Sequence, residues 1–199
     1  WAARPYLVTF LLTAIFLWIL EGYSWDRPDA GKAKKRLWWL PVLMIVWANS
    51  HGWFISGFIL LGVYGISGLK DLLLSKTALR ESKFLWMVWI GVWMILAVCL
   101  NPSGPVMLLY PFKTASIGAL GQYIQEWQPP DFHSAQVQPF VWLLLALIGS
   151  LGISRRRIAL SDFLLAAGFA YLSFSAARNI ALFALAAPLV ITRHAAPVM

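Results

Sequence analysis

The chain has 199 residues, 60% of them hydrophobic and only 12% charged, with 16 Lys and Arg against 8 Asp and Glu for a net charge of +8. A soluble globular domain carries roughly 25% charged residues, so this composition excludes that class and predicts an integral membrane protein. The lone Cys99 excludes a disulfide framework and a cysteine-based zinc site. Trp1 opens the chain without the charged start and small-residue cleavage site of a signal peptide, so an internal or C-terminal piece of a longer chain is expected.

Apolar segments lie near 5–22, 37–48, 52–69, 84–100, 139–153, 161–176 and 179–192. In lipid every backbone polar group must be satisfied internally, which makes each segment a helix. A straight helix over 37–69 would be about 50 Å long, too long for one crossing of a roughly 30 Å hydrocarbon core, while 37–48 alone covers only about 18 Å. Arg27, Lys32, Lys34, Lys35 and Arg36 precede that run, and Lys70, Lys76, Arg80 and Lys83 follow it. Under the positive-inside rule both ends face the cytoplasm. The run is therefore predicted to be a helical hairpin that turns within "WANSHGWFISGF", at residues 49–52, with Asn49 or Ser50 as cap of the returning helix.

The glycines Gly62, Gly65 and Gly68 recur along the returning helix, and such spacing admits a close neighbour. Trp38, Trp39, Trp86, Trp89 and Trp93 fall near the proposed boundaries or on lipid-facing helices, where indoles anchor. The run "KAKKR" is a topology signal that attracts anionic headgroups, and nucleic-acid binding is disfavoured inside an embedded chain.

Residues 101–138 form one long polar stretch. "NPSG" ends a helix, because Pro102 disfavours helical backbone at Asn101. "PVMLLYPFKTASIGALGQYI" is predicted to be an interfacial helix bent at Pro111, and "QEWQPPDFH" a rigid extended loop carrying Glu126 and Asp131. The last third repeats the hairpin plan: Arg155, Arg156 and Arg157 precede an apolar run, Arg193 follows it, and "SAARNIAL" interrupts it at Arg178 and Asn179. No convincing repeat of residues accompanies this similarity of plan.

The predicted fold is thus all-α, a polytopic transmembrane bundle of about seven membrane helices with two helical hairpins and one interfacial helix. It is read as a single transmembrane domain over 1–199 with an outer segment at 101–138. Of the 16 Lys and Arg, all but Arg4, Lys113 and Arg178 then lie inside. Asn49, His51, Asn101, Tyr110, Glu126, Asp131, His133, Arg178 and Asn179 gather outside, which is where a site is expected.

"RPY" at 4–6, "WANSHGWF" at 47–54, "LNPSG" at 100–104, "YPF" at 110–112, "EWQPPDF" at 126–132 and "RNIALF" at 178–183 together resemble a family of bacterial polytopic membrane proteins. Through its overall plan that family is similar to the GT-C class of membrane glycosyltransferases. The resemblance implies a multi-helix bundle in the bacterial cytoplasmic membrane, a polyprenyl-phosphate-sugar donor and a site on the extracytoplasmic face. It also implies an acidic residue in a first outer loop, which would lie upstream of Trp1.

Such transfer needs a carboxylate to take the acceptor's proton, and cations or N–H groups to offset charge on the departing phosphate. Glu126 and Asp131 are the candidate catalytic carboxylates. Arg178, Asn179, His51, Asn49, Arg4 and Lys113 are the candidate substrate-binding residues, with Arg178 foremost because a returning helix starts beside it and offers its positive dipole end. Each has a structural alternative. Arg178 is equally suited to cover carbonyls at the end of helix 161–176, His51 to hydrogen-bond within a tight turn, and the two carboxylates to solvate a loop. Asp131 and His133 leave a divalent metal open, but their spacing is common and no metal site is assigned. A transporter or flippase and a non-catalytic membrane subunit are the alternative function classes, the former expected to show polar groups at the midplane and a matched repeat.

Overall fold

The computed structural model describes residues 6–24, 30–75 and 82–195. Every regular element among them is helical, and no strand occurs among the described residues. The chain divides into two compact units, residues 1–116 and 117–199.

The first unit contains helices α1 (Tyr6–Ser24), α2 (Ala30–Arg36), α3 (Trp39–Ser50), α4 (Ile55–Ser75), α5 (Lys83–Val98) and α6 (Tyr110–Ala115). Side-chain pairs fix their directions. Trp39 and Leu43 share a groove with Ile15, Trp18 and Ile19, and eight residues after Trp39 the Trp47 ring meets Phe16 at 5.1 Å and the Thr9 hydroxyl. Therefore α3 runs antiparallel to α1. His51, just before α4, bonds Thr9, and Tyr64 within α4 donates to Glu21, so α4 descends alongside α1. Helix α5 returns against α4: a Cβ on Gly68 would lie 3.1 Å from the Phe84 nitrogen, and one on Gly65 would lie 3.7 Å from Met87. The glycine spacing thus serves this packing at 65 and 68, whereas among the described residues none comes within 4 Å of a Cβ at Gly62. Phe16, Leu20, Leu40, Met44, Trp47, Phe54, Leu60, Ile90 and Met94 form the core.

Two ends of this unit differ in charge. The end formed by α2, the finish of α4 and the start of α5 carries Lys32, Lys34, Lys35, Arg36, Lys70 and Lys83. Lys34 lies 3.9 Å over the Trp86 ring and Arg36 5.0 Å over Trp18, so two of these cations pack on indoles. The opposite end holds Tyr6, Thr9, the break at His51, and Asn101. Among its described residues Lys113 is the cation there.

The second unit contains α7 (Gly118–Tyr123), α8 (Gln138–Ile153), α9 (Leu160–Ser175) and α10 (Ile180–Ala195). Phe140 at the start of α8 meets Phe174 near the end of α9 at 5.6 Å and Phe183 near the start of α10 at 5.2 Å. At the other end Ser154, Asp162 and His194 are joined by hydrogen bonds. Helices α8 and α10 are therefore parallel, with α9 antiparallel to both, around Phe140, Leu147, Leu165, Phe169, Leu182, Phe183 and Val190. Arg155, Arg156, Arg157 and Arg193 lie at the Ser154–His194 end, and Arg178 at the other.

Two helical stretches, Tyr6–Tyr23 and Gly52–Leu74, are long and apolar enough to cross a membrane, and Lys83–Val98, Gln138–Ile153 and Leu160–Ser175 are shorter apolar helices. Large apolar side chains stand exposed along their outward faces, as with Val88, Trp89, Val92, Ile95 and Leu96 on α5 and Trp142, Leu145 and Ile148 on α8.

The expected long interfacial helix is replaced by shorter pieces: a 3-10 stretch Gly104–Leu109, then α6, then α7. Pro111 does not bend a helix. It occupies the first turn of α6, where its missing N–H removes no hydrogen bond. Gly104, at φ 57°, supplies the left-handed residue that turns the chain after α5.

Candidate functional site

Both interrupted runs break in the same way. His51 is extended at φ −156°, ψ 135°, and Ala176 at φ −155°, ψ 128°. Each N–H still bonds the carbonyl four residues back, Trp47 at 2.9 Å and Leu172 at 3.1 Å. Each preceding serine turns its hydroxyl onto its own helix, Ser50 to the Val46 carbonyl at 2.7 Å and Ser175 to that of Tyr171 at 2.9 Å. A three-residue 3-10 turn follows in each, Gly52–Phe54 and Ala177–Asn179, and then a helix opening on Ile55 or Ile180. The order helix, basic connection, helix, break, helix is therefore shared by α1–α3–α4 and α8–α9–α10. This structural repeat was invisible as a residue repeat because only Ser and Ile coincide between "SHGWFI" and "SAARNI".

In the first unit the break is held by a buried relay. Trp47 Nε1 donates to Thr9 Oγ1 at 3.0 Å, and Thr9 Oγ1 lies 2.7 Å from His51 Nδ1. An indole N–H can only donate, so Thr9 Oγ1 accepts from Trp47, and the same hydroxyl shares a second hydrogen bond with His51 Nδ1. Burial lowers the His51 pKa below its ordinary value. The Tyr6 ring lies 4.7 Å from the imidazole, and Tyr110 sits so close over Gly52 that a side chain at 52 would collide with its ring.

Asn49 and Ser50 do not cap the returning helix. Both still belong to α3: Asn49 Nδ2 donates to the Ile45 carbonyl at 2.8 Å, and its Oδ1 accepts from Asn101 Nδ2 at 3.1 Å. Asn101 Nδ2 also bonds the Ala48 carbonyl at 3.0 Å, tying the ends of α3 and α5 together. Asn49 and Asn101 are joinery. Lys113 is exposed on α6, and Arg4 lies outside the described residues.

In the second unit the break carries charge. The Arg178 guanidinium lies 4.2 Å over the Trp127 ring, and the Ala177 N–H donates to the Gln128 carbonyl at 2.9 Å. The loop through Gln125–Trp127, which includes exposed Glu126, is thereby docked on the start of α10. Arg178 is half-buried, and burial pushes its pKa down to about 10, still charged at neutral pH. At the end of α9, Asn179 Nδ2 donates to the Leu172 carbonyl at 2.8 Å. Asn179 is only 4% exposed, and its Oδ1 is buried without a hydrogen bond.

Asp131 shapes its own loop. Its Oδ1 accepts from the His133 N–H at 2.9 Å, and its carbonyl accepts from the Ser134 N–H at 3.0 Å, a local turn of the kind Asp favours. Among the described residues no group of three or more His, Cys, Asp or Glu is placed to hold a metal ion. The structure thus brings Glu126 and Arg178 to one loop junction in the second unit, and places His51 in a separate relay in the first.

A further cluster escaped the sequence. Asp162 is buried and pairs with both Arg193 and His194, its Oδ2 lying 3.2 Å from His194 Nε2, while His194 Nδ1 lies 2.9 Å from Ser154 Oγ. One carboxylate inside an apolar run that ends in Arg and His was the available signal. Comparison with family models, curated proteins and solved structures finds no match for the chain.

Proposed function

We propose that this chain is part of a membrane glycosyltransferase of GT-C type, which takes a sugar from a polyprenyl-phosphate donor at the extracytoplasmic face. The apolar helices cross the bilayer, the 16-residue ones and the 12-residue α3 by local thinning and snorkelling of flanking cations, and the basic end of each unit lies in the cytoplasm. Each helix break then opens outside. The observation that carries the reading is Arg178: a half-buried cation at the start of α10, stacked on Trp127, at the end opposite the second unit's other cations.

A lipid phosphate seated there meets a guanidinium and the N–H end of a 16-residue helix, both of which favour negative charge. Glu126 adjoins Trp127 in the docked turn and takes the base role. In the reaction the acceptor oxygen bonds to the anomeric carbon and its proton passes to Glu126. The bond from that carbon to the phosphate oxygen breaks, and the polyprenyl phosphate leaves with the electron pair against Arg178.

The test is binding of polyprenyl phosphate to the purified full chain. Arg178→Ala is expected to weaken it at least tenfold and Arg178→Lys by less, while Glu126→Gln binds as the parent does and loses transfer. Unchanged binding by Arg178→Ala removes the reading. A transporter or flippase is the second reading, favoured by the shared helix order of the two units, since parallel repeats build some transporters. Lipid-linked sugar crossing proteoliposomes that contain the chain, without any glycosidic bond being made, supports it over the first.

A further inference from the structure

We infer that the first unit binds one anionic phospholipid of the cytoplasmic leaflet in a groove between α1 and α3, with the lipid phosphate on Arg36. The groove is lined by Ile15, Trp18, Ile19, Arg36, Trp39 and Leu43 and has a volume of about 330 Å³. That is at the lower end of the roughly 300–1,000 Å³ typical of ligand pockets. Five of the six lining residues are apolar, and Trp18 and Trp39 stand exposed as its walls.

The sequence of lining residues orders the groove along the helices. Ile15 and Leu43 lie farther from the basic end, Trp18, Ile19 and Trp39 nearer to it, and Arg36 closes that end with its guanidinium 5.0 Å over the Trp18 ring. The surface of the groove is apolar throughout, and the Arg36 guanidinium stands at its rim, over Trp18 at the basic end. Lys32 and Lys35 on the same short helix add to the positive field at that end. The matching occupant is amphipathic with the opposite charge in the same place: an acyl segment along Ile15 and Leu43, and a phosphate at Arg36. The groove also sits against Tyr6–Tyr23, one of the two stretches long and apolar enough to span a bilayer, so hydrocarbon is the medium expected along it.

This inference rests on the proposed orientation of the first unit, not on glycosyl transfer. It is tested by native mass spectrometry of the full chain in detergent, titrated with phosphatidylglycerol or with phosphatidylcholine bearing the same acyl chains. The parent is expected to take up a first phosphatidylglycerol in preference to phosphatidylcholine. Arg36→Gln is expected to weaken that first binding about fivefold, the equivalent of about 1 kcal/mol per cation at an anionic surface. Lys70→Gln, which removes a charge at the same end away from the groove, leaves it unchanged. Leu43→Trp, which fills the groove and keeps every charge, also abolishes the preference.

Equal losses in Arg36→Gln and Lys70→Gln mean that charge count alone attracts the lipid, and overturn the site. So does a preference untouched by both Arg36→Gln and Leu43→Trp. A chain that appears as a dimer, and as a monomer only in Leu43→Trp, assigns the groove to a second copy instead. Failure to bind either lipid overturns the site and leaves the orientation to the labelling of residues 50 and 35.

Discussion

Replacing Thr9 by valine tests how the first break is held. Valine keeps the shape and removes the hydroxyl that joins Trp47 Nε1 at 3.0 Å to His51 Nδ1 at 2.7 Å. The two donors and acceptors differ in what they can do next. Trp47 is fully buried, so its N–H stays without an acceptor, which costs about 1–3 kcal/mol. His51 is only partly covered and can turn to water, so its lost bond is worth about 0.5–1.5 kcal/mol at most. A total of about 1.5–4.5 kcal/mol is expected. That exceeds the average of about 0.6 kcal/mol for hydrogen bonds between membrane helices, because this indole has no second partner within the core. Reversible unfolding in mixed micelles, followed by tryptophan fluorescence and circular dichroism, measures it. Thr9→Ser is expected to recover most of the loss. A Thr9→Val protein within about 0.5 kcal/mol of the parent would show that the relay does not hold the break, and would refute the argument.

Two other outcomes follow from the geometry. Asp162→Ala removes the carboxylate that pairs with Arg193 and His194, and losing one partner of a buried charge cluster costs about 3–5 kcal/mol, lessened where Arg193 reaches water; about 3 kcal/mol in the same unfolding assay is expected. His51 is held neutral by burial, below its ordinary value of 6.5. Well above pH 6.5 folded and unfolded forms are both neutral and the group contributes no pH dependence. As pH falls below 6.5 the unfolded chain takes up the proton first, so stability declines down to the folded pKa. His51→Gln is expected to flatten that limb of a stability profile between pH 7 and 5, and an unchanged slope would assign it to other groups.

The sequence located most helices because apolar length and flanking charge report directly on burial and on ends. It placed the breaks within a few residues, at 49–52 and at 178–179, where the extended residues prove to be His51 and Ala176. Their partners were not legible. Thr9 and His51 are 42 residues apart, and a threonine within an apolar helix carries no sign that its hydroxyl faces a histidine. Asn49 and Ser50 resembled caps by residue type, yet both lie one step too early, inside the preceding helix, where they serve its own carbonyls. Asn179, named as a substrate-binding candidate, donates its amide to the Leu172 carbonyl of α9, and Arg178 lies over Trp127. The repeat of the two breaks lies in backbone angles and in two i to i−4 serine bonds, features that tolerate almost complete exchange of side chains.

The orientation of both breaks can be measured directly by cysteine labelling in intact cells, on a Cys99→Ala background. Ser50→Cys and Ala135→Cys, both at exposed positions, are expected to react with a membrane-impermeant maleimide from outside, and Lys35→Cys only after the membrane is opened. Labelling of Ser50→Cys from the cytoplasmic side alone would contradict the account, since the run 37–69 would then cross the bilayer in a different sense and the Arg178 reading would lose its counterpart in topology.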